Sequence, residues 1–175
     1  MTTRHDQDHV VVGAGVVGAA TARALARAGA RVLLVERGTR GHDRGSSHGA
    51  SRIVRRGYVA DDWVAVGTHG TGREVHPDAR LEPSEEGRAV LREYVAEWVP
   101  GVDVDSLEPI SCLYDTTPTE DPVVDRVGAV TVATGFSGHG FTFGPTLGAL
   151  LAGVATGTPA PERFRLRGAG GGDVR

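Results

Sequence analysis

Cysteine is all but missing from this chain. Cys112 is the single one in 175 residues, so an intramolecular disulfide is impossible and a site of four thiolates cannot be built within one chain. A surplus of positive charge is missing as well. The 19 lysines and arginines face 22 aspartates and glutamates, a formal net charge of -3, which leaves no broad positive field to hold a phosphate backbone, and no nucleic acid partner is expected. Long apolar runs are also lacking: Met1 to Asp8 is polar and charged, and glycines interrupt the apolar residues behind it. Neither a signal peptide nor a membrane span is expected, and the predicted location is the cytoplasm. His42, His48, His69 and His76 do not have the spacing of metal ligands.

With 39% hydrophobic and 23% charged residues, the composition is that of an ordinary globular domain. The 26 glycines gather in the first turn, between Gly135 and Gly153, and in a low-complexity tail from Gly168 to Gly172. His9 to Val12 reads as a strand stopping at Gly13. Val16 to Ala28, alanine-rich and free of proline, reads as a helix ending at Gly29. Arg31 to Glu36 reads as a second strand, whose unbroken Val32-Leu33-Leu34-Val35 is the pattern of a parallel strand buried on both faces. Together these predict a βαβ unit. Gly38 to Ser51 has the composition of a surface loop, the usual carrier of binding residues. Ser84 can cap a helix to about Trp98, with Val90, Leu91, Tyr94, Val95 and Trp98 on one face and Pro100-Gly101 ending it. Ile110 to Tyr114 and Val127 to Thr134 read as two further strands. Pro145 suits the start of a last helix running to about Gly157.

Gly13-Ala14-Gly15-Val16-Val17-Gly18 falls between a predicted strand and helix, and its context raises it above a chance glycine pattern. Ala22, Leu25, Ala26, Gly29 and Val32 lie where the helix would pack on the sheet, with Glu36 at the end of the second strand. Gly13 would permit the tight turn, Gly15 the approach of a pyrophosphate to the backbone, and Gly18 the close packing of helix on strand. The helix N-terminus would face the phosphate charge, and Glu36 would accept hydrogen bonds from the adenosine ribose hydroxyls. A carboxylate there would repel a 2′-phosphate, arguing against NADP. The fingerprint alone leaves FAD and NAD both open.

Three further segments narrow the choice: Gly45-Ser46-Ser47-His48-Gly49-Ala50-Ser51-Arg52-Ile53-Val54-Arg55, Ser111-Cys112-Leu113-Tyr114-Asp115, and Gly135-Phe136-Ser137-Gly138-His139-Gly140-Phe141. With them the chain resembles the monomeric sarcosine oxidase and N-methyl-amino-acid oxidase family, of the D-amino-acid-oxidase-like superfamily. The resemblance implies an α/β, Rossmann-like FAD-binding fold. It also implies oxidation of the C–N bond of an N-methyl or secondary amino acid, with oxygen as acceptor and hydrogen peroxide as product. Ser46, Ser51 and Arg52 match the family's flavin-contacting loop, and Arg55 matches the arginine that holds the substrate carboxylate, for which a guanidinium fork is well suited. Cys112 matches the cysteine that binds FAD covalently, and Tyr114 an active-site tyrosine. His139, between Gly138 and Gly140, would lie against the flavin. The last helix would direct its positive end at the pyrimidine edge of the ring.

The resemblance also implies a truncation. Family members are about twice this long, and the match breaks around Val64 to Val66, leaving most of the antiparallel substrate-domain sheet absent. The expected organisation is 1–63 as the N-terminal part of the FAD-binding domain and 64–82 as an irregular segment at the break. Residues 83–167 would form the C-terminal part, and 168–175 a disordered tail. Thr142 stands where the family has a substrate-binding lysine, and Ala65 where a lysine assists oxygen; losing that cation would weaken stabilisation of charge on reduced oxygen. A non-catalytic FAD-binding remnant is the rival reading. The partial sheet is expected to leave apolar edges and faces uncovered.

Overall fold

A computed structural model describes residues 7–42, 44–47, 74–76, 78, 82–107, 113 and 115–166. The βαβ unit forms as its sequence dictates. Strand β1, His9–Val12, and strand β2, Val32–Val35, flank helix α1, Val16–Arg27. The strands pair in parallel, His9 opposite Val32 through Val12 opposite Val35. Asp8 ties the strands together at one end: Arg31 donates to its carboxylate from the backbone N–H (2.8 Å) and from the guanidinium (2.9 Å). These bonds hold the Asp8 carboxyl down at a pKa of about 2.

The C-terminal half contributes a hairpin and a second helix. Strands β3, Val123–Val127, and β4, Val130–Thr134, pair antiparallel with Val127 opposite Val130. The single strand expected over Val127 to Thr134 is therefore corrected to a two-residue turn followed by one strand. Gly128, at φ +60°, takes the left-handed conformation such a turn requires, and the Arg126 guanidinium donates to its carbonyl at 3.0 Å. Helix α3 follows over Gly144–Ala155, with Pro145 in its first turn as expected. Of the other strand predicted, Ile110, Ser111, Cys112 and Tyr114 lie outside the described residues, and Leu113 belongs to no strand.

Helices α1 and α3 lie side by side, parallel and in step. A Cβ added to Gly144 would come within 2.9 Å of the Val16 side chain, and one added to Gly148 within 2.6 Å of the Ala20 carbonyl carbon and Cβ. Four residues separate both pairs on each helix, so the contact repeats turn for turn with the two N-termini at the same end. Beneath them Val124, Leu151, Val154 and Ala160 form a small core, against which Val17, Ala133, Leu150 and Phe164 pack.

In chain order helix α2, Glu85–Trp98, comes between the two halves, capped by the Ser84 hydroxyl, which accepts from the Gly87 N–H at 3.1 Å. Its expected apolar face is mostly uncovered: Val95 is buried, but Val90, Tyr94 and Trp98 are 50%, 49% and 64% exposed. Strand β2 also departs from expectation. Leu33, Leu34 and Val35 are exposed, not buried on both faces. The cause is architectural, since among the described residues β1 and β2 form a sheet of two strands only, with α1 packed on one side. Ala26 and Gly29, expected at the helix–sheet contact, are likewise exposed, whereas Ala22 and Leu25 are buried there.

Replacing Gly148 by alanine separates two opposing effects. Helix propensity favours alanine by about 1 kcal/mol, but its methyl group would press on the backbone of α1, and overpacking of this kind costs roughly 1–3 kcal/mol. The clash should win because the obstructing atoms are backbone. Thermal melting should show a lower Tm for Gly148→Ala, and an unchanged or higher Tm would contradict the close contact.

Candidate functional site

The turn joining β1 to α1 is shaped by three glycines with different duties. Gly13 sits at φ +98°, which a side chain would disfavour, and its N–H donates to the Val35 carbonyl at 2.7 Å, holding the turn against the end of β2. At Gly18 a Cβ would collide with the Gly13 carbonyl oxygen, so only glycine lets the helix rise so near the turn. Gly15 is the open position: a Cβ there would meet only the Ser47 side chain, 3.0 Å from its hydroxyl oxygen.

Two side chains attach to this turn. Glu36, just past β2, accepts from the Ala14 N–H at 2.8 Å through one carboxylate oxygen and from the Gly38 N–H at 3.0 Å through the other. The Ala14 bond first, then the Gly38 bond, hold its carboxyl below the ordinary glutamate value, with His42 adding a smaller contribution in the same direction. Ser47 accepts from the Val16 N–H at 2.9 Å. It thereby caps a helix whose own N-cap residue, Gly15, has no side chain to offer. Ser47 was not singled out from the sequence beside Ser46 and Ser51; its position two residues before Gly49 gave no capping signal, because the helix it caps lies 31 residues earlier.

Across from this turn, the segment at Asp115 is fixed to the end of the hairpin. The Asp115 carboxylate accepts from the Thr134 hydroxyl and the Gly135 N–H, and its carbonyl accepts from the Ser137 N–H at 2.9 Å. Ser137 is buried with a positive φ, its hydroxyl bonded to the Gly135 carbonyl at 3.1 Å and paired with that of Thr116 at 3.1 Å. This network shapes the turn that leads into α3.

The two sides face one broad cleft of about 1750 Å³, larger than the roughly 300–1,000 Å³ of a site for a compact small molecule and suited to an extended ligand. Gly13, Gly15, Gly18, Glu36 and Ser46 line it from the N-terminal half; Leu113, Asp115, Phe136, Gly138, Gly140 and Phe141 line it from the C-terminal half. His139 is exposed between two lining glycines and does not itself line the cleft. Thr142 is partly buried just beyond. Ser51, Arg52, Arg55, Cys112 and Tyr114 lie outside the described residues, as does Ala65. No group of three metal-ligating side chains occurs among the described residues, and no helix there is long and apolar enough to cross a membrane.

A parallel βαβ unit with a glycine turn, an acidic residue at the end of its second strand and an adjoining extended cleft defines a dinucleotide-binding protein of the α/β class. The sequence model of the FAD dependent oxidoreductase family matches residues 8–68 and 59–154, and the chain belongs to that family. It is similar to the monomeric sarcosine oxidase of Bacillus sp. (strain NS-129), 34% identical over 99 residues that make up 53% of this chain and 26% of that protein. It is also similar to the N-methyl-L-tryptophan oxidase of Yersinia pestis (strain Pestoides F), 33% identical over 117 residues, 62% of this chain and 31% of that protein. The matched stretch thus covers less than a third of either relative.

The geometry fits the nucleotide half of FAD. Gly15 presents no side chain at the N-terminus of α1, where the Ser47 hydroxyl occupies the Val16 N–H, and Glu36 presents an acceptor beside it. Because Glu36 has a lowered pKa in the folded chain, its contribution to stability is fully present above the ordinary glutamate value and fades as pH falls through the lowered one. Glu36→Gln should therefore melt at a lower temperature than the unaltered chain at neutral pH, and the gap should narrow on acidification. A gap that persists undiminished at acid pH would show that the carboxylate charge is not what binds the turn.

Proposed function

We propose that this chain is an FAD-dependent amine oxidase of the sarcosine oxidase type, acting on an N-methyl or secondary amino acid. The observation that carries the proposal is the Gly13–Gly18 turn with Glu36 beside it, facing Leu113, Asp115, Gly138 and Gly140 across one cleft. The relatives' names, both oxidases of N-methylated amino acids, support the substrate class.

In this reading the α1 N-terminus and Gly15 receive the pyrophosphate, and Glu36 the adenosine ribose. Ser46, Ser51, Arg52, Gly138 and Gly140 would hold the ring system, and Cys112 would be the residue that tethers it covalently. Bound FAD would supply a two-electron acceptor for oxidation at the C–N bond, with oxygen as the final acceptor and hydrogen peroxide as product. Arg55 holds the substrate carboxylate in bidentate fashion, which orients the C–N bond towards the ring. Tyr114 borders the reacting end, and His139 stands beside it between the two lining glycines, outside the cleft lining itself. Thr142 can donate one hydrogen bond to the same carboxylate but brings no charge, so Arg55 supplies the cation alone. Side-chain selectivity rests with the sheet that the truncation removes. The chemistry uses small molecules, in a cytoplasmic setting, without nucleic acid or membrane.

Purifying the chain and precipitating it with acid tests both the cofactor and its attachment. Flavin absorbance that stays in the pellet is the expected outcome and assigns the covalent bond to Cys112 when Cys112→Ala releases it. Flavin in the supernatant would refute the covalent bond while preserving the flavin site. A colourless chain that takes up no added FAD would sink the proposal, and a chain that binds FAD without forming peroxide from N-methyl amino acids would favour the non-catalytic remnant.

A further inference from the structure

His42 has no part in the fingerprint and no metal-ligand spacing, yet the fold places it against the Glu36 carboxylate. Its Nδ1 accepts a hydrogen bond from the Arg44 N–H at 3.2 Å. A ring nitrogen that accepts carries no proton, so in the neutral imidazole the proton belongs to Nε2. Nε2 stands 3.3 Å from one Glu36 carboxylate oxygen, Oε1, with both side chains 24% exposed. The ring lies directly on the backbone of Gly38, where a Cβ would come within 2.7 Å of the ring Cγ and 2.9 Å of Nε2. The His42 N–H donates to the Thr39 carbonyl at 3.0 Å, closing the loop that carries the ring back towards Glu36.

The two carboxylate oxygens are consequently unequal. Oε1 receives the Gly38 N–H and faces the imidazole edge, whereas Oε2 receives the Ala14 N–H beside the glycine turn. Oε1 is thus the side enclosed by Gly38 and the imidazole, and Oε2 the side turned to the glycine turn. We propose that His42 is a positioning residue of the nucleotide site: by occupying the Oε1 side it fixes the rotation of the Glu36 carboxylate and aims Oε2 at a ribose hydroxyl. This rests on the dinucleotide reading of the site but assigns a role to a residue outside the fingerprint. The ring does not touch the ligand and acts only through Glu36.

The test compares binding of ADP and 2′-deoxy-ADP by calorimetry to the unaltered chain, His42→Ala, His42→Gln, Glu36→Ala and the double variant Glu36→Ala/His42→Ala. A hydrogen bond to a charged acceptor predicts that the unaltered chain prefers ADP by about tenfold. His42→Ala should reduce that preference to near unity while leaving 2′-deoxy-ADP binding within about twofold of the unaltered chain. His42→Gln, whose amide N–H can still face Oε1, should restore the preference. In the Glu36→Ala background, removing His42 should change ADP affinity no further, because a residue acting through Glu36 has nothing left to position. A merely structural role would weaken both nucleotides equally and add to the Glu36 effect, and either result would overturn the proposal. The imidazole nitrogen shifts in an NMR spectrum of the ligand-free chain offer a check that needs no nucleotide: protonation on Nδ1 in the neutral ring would also overturn it. A chain that binds ADP with the expected preference but takes up no FAD would leave the His42 role standing and defeat the flavin reading. Failure to bind either nucleotide would defeat both.

Discussion

The approach of α3 to α1 is the constraint on which the rest of the described structure depends. Two parts of the chain more than a hundred residues apart meet along it, through Gly144 on Val16 and Gly148 on Ala20. Neither part has much core of its own. The βαβ unit buries Ala22 and Leu25 under its helix, and the hairpin buries Val124 against α3. Without a glycine at the crossing the helix axes would have to part by about the radius of a methyl group, and the cleft lined by both halves would widen with them. The parallel arrangement has an electrostatic side too. It sets two helix N-termini at one end of the molecule, so their partial positive charges add instead of cancelling.

Much of this was legible in the residues. The βαβ unit, the Ser84 cap, the stop near Pro100-Gly101 and the proline at the start of α3 each follow from local chemistry, and local chemistry is what a sequence states most directly. The fingerprint glycines were legible for the same reason: a φ of +98° at Gly13 is a property of a few consecutive residues. Gly128 misled because a glycine inside an apolar run reads equally as a weak strand position or as a turn, and only the pairing partner, Val123 to Val127, decides between them. The unbroken apolar run of β2 implied cover on both faces; the implication concerned neighbours that the described structure does not contain.

The site shows the same division. Glu36 was readable as the acidic residue after the second strand, and its contacts with Ala14 and Gly38 agree with that position. Ser47 and His42 were not readable as contributors, because each acts on a group set by the fold: the first N–H of a helix 31 residues upstream for Ser47, and a carboxylate whose rotation depends on backbone donors for His42. Pattern spacing carries no information about such contacts. The family resemblance supplied Arg52, Arg55, Cys112 and Tyr114, and it did so through short runs of matching residues, not through any physical necessity visible in those residues themselves.

The uncovered face of the β1–β2 sheet bears on the life of the molecule more than on its chemistry. Val10, Val12, Leu33 and Val35 stand on one side of paired strands, 58%, 83%, 45% and 40% exposed, and among the described residues no further strand closes either edge. Apolar side chains beside unpaired backbone are a template for association with other extended chains. They are also the features by which a cell's folding and degradation machinery distinguishes finished proteins from unfinished ones. A chain that presents them is open to that recognition whatever chemistry its site supports.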